Sequence, residues 1–133
     1  MKKIIHVLLK VILSVILFMP ILGTLHIFPA PTADLYNTPQ AFEFITILMT
    51  AGYINYMMAV VFAISLFLLW TNRVALAVLL ILPITLNVVG FHLFLDGGLL
   101  TGGALLGNVM LAINIYFLWQ HRMRYLPLLD KEN

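Results

Sequence analysis

Four apolar runs, each close to the length that crosses a lipid bilayer, set what this chain can fold into. They cover about residues 4–28, 54–70, 74–95 and 99–119, against the roughly 20 residues that a membrane-spanning helix needs. Only 9% of the 133 residues are charged and 63% are hydrophobic, whereas a soluble domain carries roughly a quarter charged. Lipid is therefore the solvent for most of these side chains. Backbone in lipid has to pair its own N–H and C=O groups, which makes the spans helical. The expected fold is all-α: one integral membrane domain over residues 1–133, a four-helix bundle with no internal repeat and no linker.

The first run begins "MKKIIHVLLKVILSVILFMPILG". Lys10 interrupts what would be the apolar core of a signal peptide, and "FPAPTAD" offers no clean small-x-small cleavage pair. A retained helix is the expectation, with a bend near Pro20 and Gly23. After the prolines of the first connection, "QAFEFITILMTAG" has helical apolar spacing. It predicts a short interfacial helix over about 40–52, with Gln40 and Glu43 in its first turn. Tyr53 and Tyr56 then fall at headgroup depth.

Charge placement gives a topology. Lys2, Lys3 and Lys10 sit at the start of the first run and Arg73 between the second and third. Arg122, Arg124 and Lys131 follow the fourth, in a tail over 120–133. Asp34, Glu43 and Asp96 occupy the other two connections, which hold no Lys or Arg. The positive-inside bias then puts both termini on the cytoplasmic side. Basic residues spread over segment ends do not make a nucleic-acid face. The chain has no cysteine, so thiol–disulfide chemistry and Cys-ligated clusters are excluded within it.

Each polar group inside an apolar run needs an explanation. In "NVVGFHLFLDGG", Thr85, His92 and Asp96 fall near one helix face, and the i,i+4 carboxylate is placed to orient the His92 imidazole. Asn87 lies on a different face. His92, Asn87, Asp96 and His26 are the candidate ligand-binding residues. A bis-imidazole haem or small metal between His26 and His92 is conceivable, but no third or fourth ligand is evident and no metal is assigned. Asn87 and Asn114 read first as bridges between helices. In "GGLLTGGALLG", the pairs Gly98/Gly102 and Gly103/Gly107 predict a close-packing seam within the chain ahead of a dimer interface. No acidic residue lies deep in any span, which argues against a proton-coupled exporter.

Taken in order, "GTLHIFPAP", Gly52-Tyr53, Asn72-Arg73, Asn87-x-x-x-Phe91-His92 with "LFLDGG", and "WQHRMRYLPLL" resemble the DoxX-like family of small bacterial membrane proteins. The resemblance covers nearly the whole chain. It implies a four-helix bundle in the cytoplasmic membrane. Some relatives serve as the membrane subunit of a quinone-linked oxidoreductase. Two departures stand out: His26 where relatives often carry lysine, and Phe62 or Ala63 where they often carry glutamate.

The leading functional expectation is a membrane subunit or accessory of a quinone-linked oxidoreductase system, with a quinone as the candidate cofactor near His92 and Asn87 as a second donor. The alternative is a non-enzymatic assembly or scaffold subunit of a larger complex. A small-molecule transporter ranks third. Expected partners are the lipid bilayer and a membrane or peripheral protein, with a second copy of the chain as another candidate.

Overall fold

A computed structural model describes residues 1–131; the last two residues of the expected tail, 132–133, lie outside the described residues. The chain is all-α, with helices α1 (Lys2–Thr24), α2 (Pro39–Ala51), α3 (Tyr53–Trp70), α4 (Val74–Phe94) and α5 (Ala104–Gln120). Short 3-10 turns occupy Ala33–Leu35, Arg122–Arg124 and Leu126–Leu129. Helices α1, α3 and α4 are long and apolar enough to cross a membrane, and α5 is a shorter apolar helix of 17 residues. At 1.5 Å per residue α5 is about 25 Å long.

Helix α1 packs on α3 and α5, and α4 packs on the same two, so α1 and α4 face each other across a diagonal. Leu13 and Leu17 of α1, Phe62 and Leu69 of α3, Val78 and Ile81 of α4, and Met110 and Phe117 of α5 fill the shared core. The outer surface is apolar as well: Phe94, Leu105, Leu106 and Trp119 are all largely exposed. That distribution suits a lipid surround and not water. One polar chain crosses the core. Asn114 Nδ2 donates to Thr85 Oγ1 at 3.1 Å, and the Thr85 hydroxyl donates to the Ile81 carbonyl at 3.0 Å. Asn114 is thus the helix bridge that its sequence position suggested; Asn87 is not.

Three expectations are corrected. The first helix ends at Thr24, short of residue 28, where the backbone turns through a positive φ at His26. Helix α2 starts at Pro39 and is capped by Thr38, whose Oγ1 accepts from the Ala41 N–H at 3.1 Å. Glu43 therefore lies in the second turn, with proline at N1 and threonine at N-cap satisfying the start instead.

The fourth run becomes helical only at Ala104. Gly97 and Gly98 have φ of +86° and +107°, and Asn108 Nδ2 reaches back to the Leu99 carbonyl at 2.7 Å. Residues 97–103 are a turn that is apolar in composition but not helical. Gly98 and Gly102 consequently do not form a helix seam, and a Cβ at either would meet nothing within 4 Å. Gly103 and Gly107 do line the α4–α5 contact. A Cβ on Gly107 would sit 3.1 Å from Val88 Cγ1, and one on Gly103 would sit 3.3 Å from His92 Cε1.

All of the described basic residues gather at the end of the bundle where α1 starts, α3 meets α4 and α5 stops. His6 stacks edge-on against Phe117 at 5.1 Å and lies 6.3 Å from the His121 ring. Tyr125 donates to the Ala75 carbonyl at 2.8 Å, tying the segment after α5 to the start of α4. The His121 pKa falls below its ordinary 6.5 because burial disfavours the cation and because Arg124, His6 and Lys10 repel it.

Two predictions follow from packing and charge. Gly107→Val should lower stability by about 1–3 kcal/mol through overpacking, and Gly102→Ala should be neutral, measured by denaturant titration in mild detergent. With the folded His121 pKa depressed, the unfolded chain takes up the proton first, so stability falls as pH drops from about 6.5 through the folded pKa. Thermal unfolding between neutral and mildly acidic pH should show that loss, and His121→Gln should reduce it.

Candidate functional site

Between α2, α3 and α4, at the end opposite the basic cluster, the fold forms a half-open cavity of about 840 Å³. Its walls are mostly aliphatic and aromatic, including Leu48, Met58, Ile84 and Phe91. Five polar residues line it: Asn55 from α3, Asn87 and His92 from α4, Asp96 just beyond α4, and Tyr36 from the first connection. A largely apolar volume of this size with a few convergent polar groups is the usual form of a small-molecule site.

The cavity exists because α2 is pinned to the end of α4. Asp96 is 1% exposed. Its Oδ1 accepts the Asn37 backbone N–H at 2.8 Å, and its own backbone carbonyl accepts from Asn37 Nδ2 at 3.2 Å. The Thr38 hydroxyl donates to the Leu95 carbonyl. Residues 37 and 38 therefore dock on 95 and 96 immediately before α2 begins. Gly97 is required at this junction: its φ is positive, and a Cβ there would lie 3.3 Å from Asn37 Cβ.

The second Asp96 oxygen faces His92 Nδ1 at 2.9 Å. A carboxylate can only accept, so the Nδ1 nitrogen carries the proton. Nε2 of the neutral ring is then a lone pair, and of the protonated ring a donor. His92 is held by its neighbours in a way that fixes this role: Phe91 lies edge-on at 5.0 Å and Gly103 packs against the ring. The aromatic wall continues with Phe44 stacked on Phe91 at 5.8 Å and Tyr36 edge-on to Phe91 at 6.3 Å. Tyr36 keeps its proton, its pKa raised first by burial and then by the Asp96 charge.

Asn87 and His92 lie well apart by angle, yet both line the cavity, because its α4 wall is the broad stripe formed by Pro83, Ile84, Asn87, Val88, Phe91 and His92. Neither the Asn87 nor the Asn55 side chain makes a hydrogen bond among the described residues; besides its helix bonds, the Asn55 backbone carbonyl accepts from the Thr24 hydroxyl at 3.5 Å. His26 is not brought to this site. It is exposed just past the end of α1 and is not among the residues that line the cavity. Groups of three or more His, Cys, Asp or Glu able to hold a metal are absent among the described residues.

Sequence reasoning missed Tyr36, Asn55 and the Asn37–Thr38 clamp. The Asn-Thr-Pro order at 37–39 is a helix-start signal, but its partner lies 59 residues away and leaves no local trace. The chain matches no protein-family model, no curated protein and no solved structure.

The Asp96 clamp generates a prediction. Asp96→Ala strands the Asn37 N–H and frees the His92 ring, and should cost about 2–3 kcal/mol of stability. Asp96→Asn should keep the fold while inverting the ring, because an amide donor facing Nδ1 moves the proton to Nε2. Nitrogen-15 chemical shifts of His92 read that inversion directly.

Proposed function

We propose that this chain is a DoxX-like protein of the bacterial cytoplasmic membrane that crosses it four times, with both termini inside. In this reading it binds a quinone-type ring in the α2–α4 cavity as the membrane subunit of an oxidoreductase system. The observation that carries the reading is His92, oriented by Asp96 and facing an aromatic-walled cavity beside two amides that have no partner of their own.

The residues fit such a ligand in kind. A flat ring matches the Phe44–Phe91 stack, and ring–ring contacts of this sort add about 0.5–1.5 kcal/mol beyond area burial. Asn87 and Asn55 offer N–H donors for ring oxygens. His92 Nε2 accepts a proton from a ring hydroxyl when neutral and returns it when charged, with Asp96 stabilising the imidazolium. The orientation matters: the neutral ring accepts at Nε2, so it suits the hydroxyl form, and only the protonated ring donates to a carbonyl. A bound quinone supplies the two-electron chemistry; the chain supplies position and a proton site, and a partner subunit supplies the electrons. Four basic segment ends on one side support the orientation.

The test is solvent extraction of the protein purified in nanodiscs, followed by titration with a soluble short-chain quinone. The proposal expects about one quinone per chain and a loss of affinity of about tenfold in His92→Ala, roughly one charge-assisted hydrogen bond. Asn87→Leu should weaken binding less. A stoichiometric protein partner, with no quinone bound and no response to His92→Ala, would replace this reading with the scaffold.

A further inference from the structure

Lys10 is the most anomalous residue in the fold. It sits in the middle of an apolar helical stretch and is 7% exposed. Among the described residues it has no carboxylate partner: the one ion pair there is His92–Asp96, at the opposite end. Its ammonium makes no hydrogen bond there either, and its nearest interaction is the Trp70 ring, with the centroid 5.9 Å away. The residue is buried along its stem, while its unpaired ammonium still reaches the surface.

The surroundings of Lys10 are built for an anion. One turn toward the start of α1, on the same face, is His6, whose Nδ1 pairs with Gln120 Oε1 at 3.3 Å. From α5 comes His121, whose Nε2 is buried and has no hydrogen-bond partner. Arg124 and Lys10 both act on His121 through their charge. From α3 comes Trp70, whose indole N–H is already used on Ser14 Oγ at 2.9 Å. Arg73, Arg122, Lys2 and Lys3 surround this end, and Asp130, exposed and unpaired, is its one described carboxylate. Trp70 and Trp119 also mark a depth: indoles concentrate at the headgroup layer.

We propose that Lys10 and His121, with His6 beside them, form a binding site for a phosphate group, that of an anionic phospholipid headgroup entering between α1, α3 and α5. The Lys10 ammonium supplies the charge and the orphan His121 Nε2–H supplies a directed donor. The aliphatic stem of Lys10 packs in the helix interface while its head reaches the phosphate layer. Free inorganic phosphate shares the chemistry and is the other possible source.

The test uses the full chain purified in mild detergent, with native mass spectrometry and thermal unfolding as readouts. Dioleoylphosphatidylglycerol, dioleoylphosphatidylcholine and inorganic phosphate are the probes. One phosphatidylglycerol should be retained per chain and should raise the unfolding temperature, with phosphatidylcholine ineffective. Lys10→Met should weaken retention about tenfold and His121→Gln by less, as expected for losing a charged rather than a neutral contact.

Lys10→Arg should keep binding, and Lys2→Gln, at the exposed start of α1, should leave it unchanged. Because Lys10→Met keeps the buried apolar stem, it should fold and, without lipid, unfold close to the parent's temperature. Stabilisation by inorganic phosphate, with displacement of the lipid, identifies a soluble anion as the occupant; indifference to phosphate identifies the lipid. Equal retention in Lys10→Met and the parent, equal weakening by Lys2→Gln, or failure of Lys10→Met to fold would each overturn the site.

Discussion

The docking of residues 37 and 38 on the end of α4 is the constraint from which the rest of the site follows. Asp96 is a buried carboxylate with both oxygens engaged, one on the Asn37 N–H and the other on His92. A single side chain therefore closes the first connection over α4, launches α2 from a fixed point and sets the tautomer of the imidazole. Remove it and the cavity loses a wall and its polar centre together. An ionised group in an apolar chain is costly unless its acceptors are filled, and here the compensation builds a chamber.

The two ends of the bundle are opposite in character. The end with Asp96 has paired its charge and left an apolar chamber with unpaired amides. The other end holds Lys10, His6 and His121 without a carboxylate among them, and the His121 pKa is lowered there first by burial and then by that crowding. Between the ends the core is almost wholly apolar, interrupted by the Asn114–Thr85 bridge. That bridge and the Gly103/Gly107 seam hold α5 against α4 closely enough for Gly103 to back the His92 ring.

Much of this was legible in the sequence, and what failed did so for physical reasons. Spans α3 and α4 were placed to within a residue, because long apolar stretches ending at Asn72-Arg73 have few alternatives. The start of α5 was misplaced by five residues: Leu99 and Leu100 are apolar, but two glycines with positive φ break the helix where hydropathy alone continues it. The His92–Asp96 pair was readable from its i,i+4 spacing although Asp96 lies just beyond the helix. The capture of Asn37 by Asp96 was not, since side-chain pairing across 59 residues depends on how α2 folds back. Nor did the sequence separate Asn87, which faces the cavity, from Asn114, which bridges helices.

The central claim is that the chamber around His92 receives a flat redox-active ring. Photolabelling of native membranes with an azidoquinone, followed by mass-spectrometric mapping of the adducts, tests it most directly. The account predicts adducts on α2 and α4 around Phe44, Asn87 and Phe91, suppressed by excess unlabelled quinone. Adducts confined to the outward faces of α1 or α5, or labelling that excess quinone does not suppress, would contradict it.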